Sequence, residues 1–283
     1  MSDKNYLSIY AKSFNWAGFF LPKNTYQKCS ALYDFCRTVD DIADNEGDLE
    51  IKKKKLSYFK INFTDKNFDN SVIKNMWELI DEYSISTKII IDLFDGVESD
   101  LKKKVQFDTK KDLLIYSYRV AGTVGLMMAK ILNVKSKEAM KAAIDLGIAM
   151  QLTNIARDVV EDSKNNRFYI QHNFETIANT LSLANTFYES SFSAIKEIPL
   201  NFRFAILVAR RVYRKIGDKI LVKNNIAAYN ICGKIYVSIP GKIQQTFLSI
   251  FDLLKLLLIK QKNHLRDEEH LLINEEIDLN ERI

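Results

Sequence analysis

The sequence predicts an all-α fold. Only 9 glycines and 3 prolines occur among 283 residues, and no Asn-Gly or Asp-Gly pair lies between alternating apolar runs. Tight β-turns therefore lack the residues that they need. Apolar residues instead recur at helical spacing, and a hydrophobic content of 47% is ample for a sizeable core. Together these observations favour a helical protein.

The first long helix should follow Pro22, because Leu32, Phe35, Val39 and Ile42 then fall on or near one face. Proline is tolerated at the first turn of a helix, so Pro199 and Pro240 predict the starts of two later helices. Further helices are expected at about 48–61, 70–83, 85–106, 110–132, 136–162, 175–197, 199–223 and 240–264.

Two glycines interrupt the apolar helix predicted at 110–132. Gly122 and Gly125 each cost roughly 1 kcal/mol relative to alanine in a helix interior. Their presence predicts either a close helix contact or a ligand at this point. Packing alone is a sufficient alternative.

No internal repeat, low-complexity linker or break in composition divides the chain. We therefore expect one catalytic domain over residues 1–264. The polar, acidic residues 265–283 should form a frayed or disordered tail.

The net charge excludes an obvious nucleic-acid surface. Basic side chains number 41 and acidic ones 36, which leaves a dispersed charge of +5. The lysine runs at 52–55 and 102–104 are typical of solvated helix faces, with contact to anionic lipid headgroups as the alternative. We expect no nucleic-acid partner, and the sequence does not define an oligomeric state.

Cysteine usage and the N-terminus are typical of a cytoplasmic protein. Cys29, Cys36 and Cys232 are odd in number and lack metal-ligand spacing, and no basic-then-apolar signal opens the chain. The stretch Phe247 to Ile259 is too short to span a bilayer. It predicts a packed C-terminal helix or, alternatively, an interfacial one at the inner face of the cell membrane.

Two acidic segments carry the strongest chemical signal. Asp40 and Asp44 are four residues apart, as are Asp158 and Asp162, so each pair lies on one helix face. Asn154 extends the second edge by one further step. Such carboxylate edges suit Mg²⁺, which keeps other positions for water and substrate phosphate.

Each acidic edge is accompanied by an arginine. Arg37 and Arg157 could grip a diphosphate, or could simply pair with Asp41 and Glu161 across one helical turn. Because an acidic edge with a nearby arginine occurs twice, the pattern favours a metal and diphosphate site over two unrelated ion pairs. No glycine-rich nucleotide loop occurs, and we assign no role to the three histidines, which are His172, His264 and His270.

Three segments resemble the squalene/phytoene synthase family. They run from Leu32 to Asp44, from Val120 to Gly125 and from Gln151 to Asp162, in the family's order and at compatible spacing. The likeness extends from about Lys12 to Lys242, and bacterial phytoene synthases look most similar. It implies an isoprenoid synthase-type helical bundle around a central cavity.

The resemblance also implies roles for individual residues. Asp40, Asp44, Asn154, Asp158 and Asp162 match the family's metal-binding positions. Positions that contact the prenyl diphosphate are matched by Lys12, Ser13, Tyr33, Arg37, Gln151, Arg157 and Tyr213. Tyr33 and Arg37 join the aspartates as catalytic residues. Tyr10-Ala11 stands where the family often has His-Ser, and nothing in the sequence explains Arg119 in the tyrosine-rich segment.

The implied reaction is Mg²⁺-dependent head-to-head joining of two identical prenyl diphosphates, with Mn²⁺ as an alternative ion. Gly18 and Ser30 are small where a bulky side chain could close a tunnel, so we expect geranylgeranyl diphosphate and the product phytoene. The alternative is farnesyl diphosphate, giving squalene, dehydrosqualene or hydroxysqualene. NADPH is not expected. A non-catalytic family member is the alternative from another class.

Overall fold

The computed structural model describes residues 12–259 and 264–283, with side chains from Asn15 onward. The described helices are α1 (Lys12–Gly18), α2 (Lys23–Asp44), α3 (Leu49–Thr64), α4 (Ser71–Tyr83), α5 (Thr87–Ser99), α6 (Lys110–Ser117), α7 (Thr123–Ile131), α8 (Lys137–Lys164), α9 (Phe174–Phe192), α10 (Leu200–Leu221), α11 (Ile226–Ile231), α12 (Ile239–Leu258), α13 (Asp267–Asn274) and α14 (Leu279–Arg282). A π-helical turn, Tyr118–Gly122, joins α6 to α7, and a 3₁₀ turn, Ser193–Glu197, follows α9. The all-α prediction is confirmed.

Helix starts are set by local capping. The side chains of Asp48 and Asn70 accept hydrogen bonds from the first backbone amides of α3 and α4, and Ser136 caps α8 in the same way. Pro22 and Pro199 precede α2 and α10. These short-range signals explain why most predicted helices begin within one or two residues of their observed starts.

Helix α8 packs between α7 and α9, and two glycines allow its close approach to the preceding helix. A Cβ atom added at Gly125 would lie 2.2 Å from the Ala143 carbonyl oxygen, and one at Gly147 would lie 2.2 Å from that of Ala121. The close contact expected near Gly122 and Gly125 is therefore a backbone-to-backbone crossing of α7 and the π-helical turn on α8.

An aromatic cluster packs against the buried face of α2, near the acidic end of this helix. Phe35 of α2 contacts Phe59, Phe63 and Phe94, with ring centroids 5.4 to 6.0 Å apart. Phe35, like Val39 one turn further on, is fully buried. This packing fixes which face of α2 remains for the polar residues.

The prediction of a helix over residues 85–106 is wrong beyond Ser99. α5 ends there, and Val105–Gln106 forms a two-residue parallel strand, β1, with β2 (Arg167–Phe168). Just after the end of α5, the Asp100 carboxylate accepts hydrogen bonds from Tyr116 and Tyr169. The three lysines at 102–104 then stay exposed.

The expectation of a frayed or disordered tail at residues 265–283 differs from the structure. They form α13 and α14, and Ile273, Ile277 and Leu279 are buried with at most 2% of their surface exposed. These apolar residues are spaced among acidic ones, so the average composition hid a packed face. Within the described ranges, no helix is both long and apolar enough to cross a bilayer.

Candidate active site

The first wall of the candidate site is the C-terminal end of α2. Val39 faces the core, whereas Asp40 is half-buried and Asp44 is exposed. Arg37 lies 2.6 Å from Asp41, so the ion pair across one turn does form. That pair leaves Asp40 and Asp44 as the carboxylate edge predicted from the spacing.

The second wall is the C-terminal half of α8. Ile155 and Val159 are buried, while Asn154, Asp158 and Asp162 are half-buried. Arg157 donates to Asp158 through Nε at 2.8 Å and through Nη2, and Glu161 instead pairs with Lys234. The alternative pairing of Arg157 with Glu161 is therefore not observed.

Arg167 joins the two walls. Its Nη1 donates to Asp44 Oδ1 at 2.8 Å, and its Nη2 donates to the Ala43 carbonyl at 3.4 Å. Because Arg167 follows α8 directly and begins β2, this contact brings the end of α2 beside the end of α8. No sequence pattern pointed to a role for Arg167.

A further carboxylate, Asp100, lies near both walls and was not predicted from the sequence. It accepts hydrogen bonds from Tyr116 at 2.8 Å and from Tyr169 at 2.7 Å. Its charge raises the pKa of both Asp40 and Asp162, which places it near each wall. Asp100 has no acidic neighbour at helical spacing, so only its position after α5 could have identified it.

The carboxylates crowd one another. Burial raises the pKa of Asp40 to about 7, with Asp44 adding to the shift, and burial together with Asp158 raises the pKa of Asp162 to about 7. Both acids therefore hold protons far more strongly than free carboxyls do. A bound cation would relieve this repulsion.

The donor set fits a hard divalent cation. The Oδ1 atom of Asn154 is buried and has no hydrogen-bond partner among the described residues. It lies on the same edge as two half-buried aspartates, Asp158 and Asp162. Oxygen ligands of this kind are those that Mg²⁺ and Mn²⁺ prefer.

The residues predicted to contact the diphosphate include some whose side chains the structure describes and others whose side chains it does not. Tyr213 lies near both Tyr33 and Arg157. Burial raises the pKa of Tyr33, with Tyr213 adding to the shift, and burial also raises the pKa of Tyr213, which Arg157 partly offsets. The Gln151 side chain accepts from Asn154 at 3.4 Å. The side chains of Lys12 and Ser13 lie outside the part that the structure describes, as do Tyr10 and Ala11.

Comparisons with known proteins identify the relationship. Residues 8–173 match the family model described as squalene/phytoene synthase. The chain is 28% identical over 247 residues to the 15-cis-phytoene synthase of Pantoea ananas, covering 76% of this chain and 80% of that one. It is 36% identical over 165 residues to the 4,4'-diapophytoene synthase of Staphylococcus haemolyticus, covering 56% and 58%.

Comparison with solved structures also finds a protein with a similar fold. A crystal structure of a dehydrosqualene synthase in complex with a ligand superposes with a TM-score of 0.72 and 29% identity, covering 88% of this chain and 94% of that chain.

Proposed function

The chain belongs to the squalene/phytoene synthase family, and on this premise we propose that it joins two geranylgeranyl diphosphates head to head to give phytoene, as in carotenoid biosynthesis. The observation that carries the proposal is the meeting of two acidic helix ends at the Arg167–Asp44 contact. The chain would thus be a Mg²⁺-dependent prenyltransferase of the 15-cis-phytoene synthase type.

Five oxygen ligands from the two walls would hold the metal. They are Asp40 and Asp44 of α2 and Asn154, Asp158 and Asp162 of α8. When bound, Mg²⁺ would neutralise the charge that develops on the departing diphosphate. The unpartnered Asn154 Oδ1 and the raised pKa values of Asp40 and Asp162 support this ligand set.

The arginines would bind diphosphate oxygens. Arg37 and Arg157 each lie beside a carboxylate of their own wall, so they are held with the guanidinium at the site. Charge-assisted hydrogen bonds from a guanidinium are strong and directional, and they stabilise charge as it forms. Tyr33, Gln151 and Tyr213 would contact the same diphosphate, with Lys12 and Ser13 at its other end.

Apolar side chains would keep water from the allylic cation. Leu126, Met127 and Met150 are buried on the helices that carry or face the second wall. The expected course is a cyclopropylcarbinyl diphosphate, a second ionisation, rearrangement and loss of a proton. Closure of the cyclopropane releases one diphosphate and one proton, and the second ionisation and rearrangement release another of each, so two diphosphates and two protons leave and a central double bond remains.

The proposed substrate length is supported by the names of the relatives and by two small residues. The relative from Pantoea ananas, at 80% coverage, is named a phytoene synthase, and Gly18 and Ser30 are small, buried residues. The specific alternative is farnesyl diphosphate, because one relative is named a diapophytoene synthase and one similar structure a dehydrosqualene synthase.

We further propose that the enzyme docks on an anionic phospholipid bilayer. Ile243, Phe247, Ile250, Leu254 and Leu257 of α12 are exposed and step by three or four residues, which makes one continuous apolar stripe. The exposed Lys255 flanks it, and the chain carries a net charge of +5. The proposed substrate and product are lipids, which suits a cytoplasmic enzyme at a membrane surface.

The decisive experiment is incubation of purified protein and Mg²⁺ with the C15 or the C20 diphosphate, with and without NADPH, followed by mass analysis of the hydrocarbon. Phytoene from the C20 substrate without NADPH supports the proposal. A C30 product from the C15 substrate alone would replace it by the alternative. No product from either, with folded protein and with Mn²⁺ also tried, would favour a non-catalytic family member.

A further inference from the structure

Three buried side chains from distant parts of the chain meet outside the candidate active site. Asp145 of α8 is fully buried, and its Oδ2 and Oδ1 accept hydrogen bonds from His264 Nε2 at 2.9 Å and His270 Nε2 at 2.7 Å. Ser190 of α9 donates a third hydrogen bond to Asp145 Oδ2 at 2.7 Å. The cluster thus ties the C-terminal segment to the middle of α8.

His264 must carry two protons in this arrangement. Its Nε2 faces Asp145, and its Nδ1 lies 3.0 Å from Oδ1 of Asp267. Ionised carboxylates only accept hydrogen bonds, so both ring nitrogens have to donate. Burial lowers the pKa of His264, but the two carboxylates outweigh it and raise the pKa above the ordinary value of 6.5.

The other ionisable groups around His264 are His270 of α13, whose ring centroid lies 4.4 Å from that of His264, and side chains of α8. Glu138 Oε2 accepts from the His264 backbone N–H at 2.9 Å. Lys141 lies 3.7 Å from Asp267 and 3.6 Å from Glu138. The surroundings therefore contain more negative than positive charge, which favours the imidazolium form of His264.

A shared metal ion explains the distances less well. The three ligand-type residues are Asp145, His264 and His270. Separations of 2.7 and 2.9 Å are ordinary hydrogen-bond lengths, whereas two ligands about 2.0 Å from a tetrahedral zinc lie roughly 3.3 Å apart. Hydrogen bonding to an imidazolium accounts for the cluster as it stands.

The same C-terminal segment contacts the other helices around the site. Arg282 donates to both oxygens of Asp92 in α5, at 2.9 and 3.1 Å, and Tyr118 of the π-helical turn donates to Asp92 Oδ2 at 3.1 Å. Lys110 of α6 pairs with Glu269. Arg119 of the π-helical turn lies 3.9 Å from Glu276. Residues 264–283 therefore bridge α5, α6, the π-helical turn and α8.

We propose that residues 264–283, the C-terminal clamp, position α8, and that protonated His264 keeps the clamp closed. Asp145 lies on the same continuous helix as Asn154, Asp158 and Asp162, so a shift at Asp145 is transmitted along a rigid element. The catalytic part of this inference rests on the proposed function. Small misplacements matter, because about 1 Å can cost on the order of 10²-fold in rate.

Asp267→Asn is the mildest test. Asp267 is exposed, so the change removes one of the two carboxylates that hold the proton on His264 without replacing a buried side chain. Glu268→Gln, one residue along and exposed, is the matched control. We measure amide hydrogen exchange in residues 154–162 as a function of pH. Faster exchange should set in at a lower pH in Asp267→Asn than in wild type and Glu268→Gln.

His264→Gln should remove the pH-dependent step altogether, giving fast exchange at every pH at which the protein is folded. His172→Gln, at an exposed histidine, is the control for this change. The positioning claim has its own readout, at a temperature where all variants are folded. The Mg²⁺ concentration for half-maximal turnover should rise, and kcat should fall about tenfold, with a smaller change in KM.

The result that overturns the clamp is an exchange profile in Asp267→Asn and His264→Gln identical to that of the controls. A stoichiometric transition metal in purified wild type that is lost in His264→Gln would overturn the imidazolium assignment. Hydrogen exchange needs no substrate, so an inactive wild-type enzyme would contradict the proposed function and leave the clamp test intact.

Discussion

Arg167 Nη1 donates a hydrogen bond to Asp44 Oδ1 over 2.8 Å, although 123 residues separate the two along the chain. This contact joins the ends of the two helices that carry the acidic motifs. The guanidinium of Arg167 also interacts electrostatically with Asp100 and Asp162, whose negative charges would otherwise repel one another. One cation therefore organises three carboxylates from three parts of the chain.

Arg167→Gln should lower turnover at least about tenfold, because it leaves crowded carboxylates without their shared cation and frees the end of α2. Arg167→Lys keeps the charge but loses the planar fork, so we expect an intermediate value. Steady-state kinetics at saturating Mg²⁺ check both. Arg203→Gln, which changes an arginine that bonds the Ile198 carbonyl, is the control. Equal activity in all three would contradict the bridging role.

Asp40→Asn and Asp158→Asn should each reduce turnover by on the order of 10²-fold or more, since stabilising a departing diphosphate through a metal contributes several kcal/mol. The thermal stabilisation of the protein by Mg²⁺ with inorganic diphosphate should also shrink. Asp81→Asn, at an exposed position of α4, controls for loss of a carboxylate. Near-normal turnover in the folded variants would remove these residues from the metal site.

Gly147→Ala should destabilise the protein by about 1–3 kcal/mol or more, because its Cβ would collide with backbone that cannot move aside. The obstacle is the Ala121 carbonyl oxygen, 2.2 Å away. Gly217→Ala is the matched control, since its Cβ would meet only a Leu181 methyl group at 3.2 Å. Urea unfolding of the two variants measures the difference. An equal cost would mean that α7 and α8 can separate easily.

Asp145→Asn should lower the free energy of unfolding by about 3–5 kcal/mol at pH 6, because it leaves the buried His264 imidazolium without its counter-charge. The loss should diminish as pH rises. His264 has a raised folded pKa, so its favourable contribution is complete below the ordinary value of 6.5 and disappears as pH passes the folded pKa. Urea unfolding at several pH values tests this, and a pH-independent cost would count against it.

Replacing Phe247 and Leu254 together by serine should reduce co-flotation with phosphatidylglycerol vesicles, because both side chains lie on the exposed stripe of α12. Ile61→Ser, at an exposed position of α3, controls for loss of apolar surface elsewhere. Flotation with purely zwitterionic vesicles should be weaker for all forms. Wild-type protein that stays in the soluble fraction with anionic vesicles would exclude this partner.

Helices and acidic edges were predictable because their signals are local. Caps, prolines and apolar spacing act within a few residues, so α3, α4 and α8 begin close to their predicted starts. The end of α5 was not predicted, and the partners of Asp100 at that point are tyrosines at positions 116 and 169, far along the chain. Long-range hydrogen bonds leave no trace in a short window of sequence.

The sequence by itself determined the helical class, the two carboxylate edges and their arginines, because i and i+4 positions share a helix face wherever the helix lies. The tertiary structure decided the rest. It placed Arg167 between the edges, added Asp100, and ordered residues 264–283 around Asp145 through two histidines that the sequence left without a role. These are contacts between distant residues, and only the packing of the helices brings their side chains within hydrogen-bonding distance.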